Sequence, residues 1–133
     1  MTRYPDWAPR LNDYLRGVQE KAFEYGSHDC CTLAAGAVEA MTGEDPMAEF
    51  RGQYATREEA DEALQIIGAG TLYRTLRKKF GKPVDGCRGR KGDIAFHEGA
   101  CGIVLGRFAV VIGEEGLATV GIRQLDRAFR LPE

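Results

Sequence analysis

Apolar residues in the first part of the chain recur at helical spacing, and past Lys82-Pro83 they gather into short runs between glycines. Trp7, Leu11, Tyr14, Leu15 and Val18 line one face of a first amphipathic helix, expected from Trp7 to about Ala22, with Pro5 or Asp6 as its start signal. Cys30, Leu33, Ala34, Ala37, Val38 and Met41 fall at i, i+3, i+4, i+7, i+8 and i+11, which predicts a second helix with Cys30 in its first turn and directed inward. Ser27 or Asp29 is placed to cap it, and Gly43 to stop it. Thr56-Arg57-Glu58-Glu59 is a capping box opening a third helix through Ala60, Ala63, Leu64 and Ile67, which Gly68-Ala69-Gly70 breaks. A fourth runs from Thr71 to Phe80, with basic residues in its last turns and Gly81 after it.

The later runs read as strands: Ile94-Ala95-Phe96, Gly102 to Leu105, Phe108 to Ile112, Leu117 to Val120, and Ala128 to Leu131. Gly106-Arg107 and Gly113-Glu114-Glu115-Gly116 are the expected hairpin turns. Helices first and an antiparallel meander afterwards predict an α+β fold, with N-terminal helices packed on a C-terminal sheet. Between them, Phe50-Arg51-Gly52-Gln53-Tyr54 reads as a loop with two aromatic anchors.

Composition narrows the function classes. A chain of 133 residues suits one domain, 1–133, with a real core. The charge is nearly balanced, 18 basic against 20 acidic residues, and Arg74-Thr75-Leu76-Arg77-Lys78-Lys79 reads as the polar face of a helix, so no nucleic-acid groove is expected. No run approaches a membrane span, and Met1 to Trp7 lacks a secretory apolar region, so synthesis in a cytoplasm is expected. The four cysteines, Cys30, Cys31, Cys87 and Cys101, have no C-x-x-C spacing, which predicts reduced thiols. Spacing gives no support for zinc or an iron–sulfur cluster among His28, Cys31, Cys87, His97 and Cys101; no metal and no cofactor is expected.

A thiol in the first turn of a helix sits against the positive end of the helix dipole, which favours the nucleophilic thiolate. Cys30 is therefore the candidate nucleophile, although a cysteine on an apolar stripe also packs well as a small hydrophobe. Asp29 beside it has its main physical use as a helix cap, and Asp93 as a cap or turn residue where a strand begins.

Three stretches carry a resemblance to a known family. Tyr25-Gly26-Ser27-His28-Asp29-Cys30, Arg90-Lys91-Gly92-Asp93-Ile94-Ala95-Phe96 and Gly102-Ile103-Val104-Leu105-Gly106 resemble, in order, the nucleophile turn, the Gly-Asp strand and the histidine strand of the NlpC-type, papain-like cysteine peptidases. Thr42-Gly43-Glu44-Asp45-Pro46, Phe50 to Tyr54 and Phe129-Arg130 are similar to a closer group of small phage-encoded, tail-associated members. The likeness covers roughly residues 7 to 131.

That resemblance implies a papain-like fold with Cys30 as nucleophile, Asp29 beside it, and a general base two residues before Gly102. The position holds Ala100. His97 is the nearby substitute if a turn through Glu98-Gly99 swings it toward Cys30; His28 lies too near Cys30 in sequence to have the reach. The next strand, Phe108 to Ile112, is apolar and offers nothing to orient an imidazole. A thiol without a positioned base loses the proton shuttle that acyl transfer needs. The resemblance therefore implies a virion tail or baseplate component with a degenerate peptidase fold, partnered by other tail proteins. The alternative is an active tail-associated peptidoglycan hydrolase, an endopeptidase or amidase using Cys30, with peptidoglycan as its partner. An adaptor or binding module on the same fold is a third reading.

Overall fold

The computed structural model describes residues 1–113 and 115–131. Four helices come first: α1 Trp7–Val18, α2 Cys30–Thr42, α3 Arg57–Ile66 and α4 Leu72–Phe80. Six strands follow: β1 Val84–Asp85, β2 Ile94–His97, β3 Ala100–Val104, β4 Phe108–Gly113, β5 Gly116–Gly121 and β6 Arg127–Phe129. They form one antiparallel sheet in the order β1-β6-β2-β3-β4-β5. The architecture is α+β, with β2 to β5 as the expected meander. The expected turn Gly113-Glu114-Glu115-Gly116 includes Glu114, which lies outside the described residues.

α2 is the organising helix. It packs against α1 on one side and against β3 and β4 on the other. Leu33, Ala37, Val38 and Met41 are completely buried, against Ile94, Ile103 and Phe129 of the sheet. The helix begins where Asp29 caps it and ends at Gly43, whose φ of +83° is the left-handed C-cap conformation that glycine adopts without a Cβ penalty. Close approach of α1 depends on Gly36: a Cβ there would lie 2.2 Å from the Tyr14 hydroxyl, which donates to the Leu33 carbonyl at 3.0 Å.

Strand ends shift by one or two residues, β3 beginning at Ala100 rather than Gly102, and two elements differ more from the sequence expectation. α1 ends at Val18 rather than near Ala22, because Gln19, Glu20 and Lys21 are exposed and a further turn would bury nothing. β1, which has no counterpart in the expected strands, is only two residues long and pairs Val84 with Ala128 and Asp85 with Arg127. Two residues carry no readable periodicity.

The sheet is buried on both faces near its middle. Cys101 and Ile103 of β3, with Ile94 and Phe96 of β2, look toward α2 and the main core. Ala95, Val104, Ala109 and Leu125 form a second apolar cluster. Since successive side chains alternate across a strand, Ala100 and Gly102 share the face of Val104, and His97 shares that of Ala95.

Candidate functional site

The turn before α2 is built around one carboxylate. Asp29 is 3% exposed, and its extended backbone places its side chain back over the helix start. Oδ1 accepts from the Thr32 backbone N–H at 3.0 Å, while the Thr32 hydroxyl accepts from the Asp29 N–H at 2.7 Å, a closed capping box. Oδ2 accepts from the Gly26 N–H at 2.9 Å and the Tyr54 hydroxyl at 2.6 Å. The loop bearing Tyr54 is further tied down by the Gly52 N–H to Gly26 carbonyl bond, 3.1 Å. Gly26 has to be glycine here: its φ is +88°, and a Cβ would stand 2.3 Å from the Tyr54 carbonyl oxygen. Burial first, and then the bond to the Asp29 carboxylate, raise the Tyr54 phenol far above its ordinary pKa, so it stays a donor.

This scaffold presents Cys30 and Cys31 at the wall of a cleft of ≈ 320 Å³, which Tyr54, Arg57, Asp61, Gly99 and Ala100 also line. Across from them stands Cys101 of β3. Its thiol donates to the Cys30 carbonyl oxygen at 3.2 Å, and the sulfurs of Cys30, Cys31 and Cys101 all lie within 4.8 Å of one another. Cys101 is 1% exposed; Cys30 and Cys31 are partly exposed on the cleft side.

Three thiols so close share their protons unequally. The neighbouring thiols, Cys101 first and then Cys31, hold Cys30 well below the ordinary thiol range in spite of burial. Cys101 goes the other way, pushed well above that range by its neighbours Cys30 and Cys31 and by complete burial. Cys31 is drawn down by Cys101, but its bond to Cys30 and burial outweigh this and leave it high. Of the three, Cys30, at the helix N-terminus, is therefore the thiol most disposed to ionise.

The structure does not turn His97 toward this thiol. Glu98 and Gly99, with φ of +49° and +81°, form a two-residue hairpin turn that locks His97 opposite Ala100 instead of swinging it toward α2. His97 lies on the face of Ala95, with Nδ1 3.0 Å from the Gln124 carbonyl oxygen, and is corrected here from substitute base to hairpin residue. Ala100, the expected base position, lines the cleft, yet alternation turns its side chain away from α2; Cys101 is the residue whose side chain meets Cys30. Sequence reading missed Cys101 as a site residue, because seventy-one positions separate it from Cys30 and only strand register reveals the contact. Sequence spacing gave no sign that Cys30, Cys31 and Cys101 gather; Cys87 is exposed and not part of this group.

The remaining sequence candidates have structural surroundings. His28 is 5% exposed, held by a two-bond bridge with Glu24, and its Nε2 has no hydrogen-bond partner among the described residues. Burial, and then Lys21, lower its pKa against the pull of Asp29, which keeps the ring neutral. Asp93 accepts from the Arg90 N–H at 2.8 Å, closing the turn into β2, and faces the Arg3 guanidinium at 3.5 Å. Burial raises its pKa against those partners. A larger hollow of ≈ 640 Å³ between α1 and β5 is lined, among the described residues, by one charged side chain, Arg16, and by no cysteine, histidine or carboxylate.

No curated protein and no solved structure matches the chain. Residues 2–131 match a family described as a domain of unknown function, DUF6950. Since the match spans nearly the whole sequence, capped turn and all three clustered cysteines included, the chain belongs to the DUF6950 family.

Proposed function

We propose that this chain is a tail or baseplate component of a tailed phage or prophage, built on a papain-like, NlpC-type fold whose peptidase chemistry is lost. The observation that carries the second half of this reading is the identity of the group facing Cys30: a thiol of Cys101, where acyl transfer needs an imidazole. A neighbouring thiol can lower the pKa of Cys30, but it leaves no group poised to protonate a leaving amine. β4, packed beside β3, presents Phe108 to Ile112 and no orienting polar side chain. The tail assignment rests on the resemblance of the turn, the Gly-Asp strand and the Phe50 to Tyr54 loop to the phage group. In that setting the fold works as a packing module between other tail proteins, located in the virion.

Mass spectrometry of purified virions from the encoding phage or induced prophage tests the assignment. The chain is expected at stoichiometric amounts with other tail proteins, and its absence from intact particles contradicts the reading.

The second reading is a peptidoglycan hydrolase acting through Cys30. The depressed pKa of Cys30 and its place on the wall of an open cleft favour it. It predicts cleavage of purified peptidoglycan that disappears in Cys30→Ala.

A further inference from the structure

We propose that Cys30, Cys31 and Cys101 form a binding site for a single thiophilic d10 cation of the Zn²⁺ and Cd²⁺ type, with the cleft as its open coordination position. The inference does not depend on the tail assignment.

Its foundation is the convergence of three sulfurs from two separate elements, the first turn of α2 and β3, to within 4.8 Å of one another. Sulfurs bound to one zinc at about 2.3 Å stand roughly 3.8 Å apart in a tetrahedron, so closure needs a contraction of about 1 Å or less. That lies within the reach of side-chain rotation at two partly exposed cysteines. Soft thiolates select this class of cation over Mg²⁺ or Ca²⁺.

The neighbouring groups define the coordination number. Both Asp29 oxygens are engaged by Gly26, Thr32 and Tyr54, and His97 is held at Gln124 on the other face of the sheet. Among the described residues only the three sulfurs stand within 4.8 Å of one another; the fourth position opens into the ≈ 320 Å³ cleft, whose wall also carries Asp61 and Glu98 and where water or a small thiol fits. Binding deprotonates every S–H that becomes a ligand, and each proton leaves to solvent. Three thiolates and one divalent cation carry a net charge of −1, set beside the positive end of α2, with Arg57, Asp61 and Glu98 on the cleft wall.

Titration of the full chain with Cd²⁺, in a phosphine reductant, tests the site through the sulfur-to-cadmium charge-transfer band. The expected result is one Cd²⁺ per chain, proton release on binding, and displacement by Zn²⁺. Cys31→Ser and Cys101→Ser are each expected to weaken binding by more than about tenfold, while Cys87→Ser leaves it unchanged. No band in the wild-type chain overturns the proposal, as does a band that survives in Cys31→Ser at full strength or follows Cys87. The wild-type and Cys31→Ser arms decide it even if Cys101→Ser fails to fold.

Discussion

The Tyr54 hydroxyl donates to Asp29 Oδ2 at 2.6 Å, and this bond joins the loop after α2 to the carboxylate that starts α2. The same carboxylate holds Gly26 and Thr32, so the turn presenting Cys30 is braced from three directions. Tyr54→Phe is expected to cost about 1–2 kcal/mol, because it leaves a buried carboxylate oxygen short of one donor. Asp29→Ala, which orphans several donors at once, is expected to cost more. Urea midpoints of the two variants and their double mutant measure both, and a double mutant no worse than Asp29→Ala places the loss in this one bond.

The thiol trio makes a pH prediction. The alkylation rate of Cys30 by iodoacetamide is expected to inflect clearly below the ordinary thiol value of about 8.5. Cys101→Ala removes the buried thiol neighbour that lowers Cys30 most and is expected to move that inflection upward. Peptide mapping of the alkylated sites checks both, and an inflection unmoved by Cys101→Ala excludes the shared-proton arrangement.

His28 gives the chain an acid sensitivity of definite sign. Its folded pKa is depressed by burial, so the unfolded chain, titrating near about 6.5, takes up the proton first. The neutral ring's contribution is therefore intact above that value and is lost as the pH falls below it. Asp93 acts oppositely in a more acidic range, since its raised folded pKa makes its protonation favour the fold. His28→Leu separates the two: between about pH 7.5 and about 5.5 the wild type is expected to lose more stability than the variant, as chemical denaturation would show.

Packing of α1 on α2 rests on a single missing Cβ. Gly36→Ala places a methyl 2.2 Å from the Tyr14 oxygen and 2.6 Å from its ring, and the tyrosine is half-buried, its phenol pushed up to about 12 chiefly by desolvation. A destabilisation of about 1–3 kcal/mol is expected, as for other overpacked interiors, and a thermal melt measures it. Gly17, with nothing within 4 Å of its added Cβ, is the control: Gly17→Ala should be neutral or stabilising.

Local signals were legible in the sequence wherever one residue type answers one backbone need. Asp29 and Gly43 delimit α2, Thr56 and Thr71 cap α3 and α4, and the glycine-bounded runs mark the meander. Facing was not legible. β2 and β3 are covered on both sides, with Ala95 and Val104 as completely buried as Ile94 and Ile103, so no polar alternation tells which face meets α2. The resemblance puts the base position at Ala100, one residue from Cys101, whose side chain reaches Cys30. His97 misled for a related reason: the hairpin through Glu98-Gly99 is the tight kind that fixes its flanking pair, a conformation visible only in the positive φ of both turn residues.

The absence of a proton carrier beside Cys30 is best tested by incubating the chain with purified peptidoglycan in EDTA, which leaves the thiol as the sole candidate catalyst, and assaying newly released amino groups. The account predicts no release above that of Cys30→Ala at any pH across the titration of Cys30. Release by the wild type that vanishes in Cys30→Ala would contradict it.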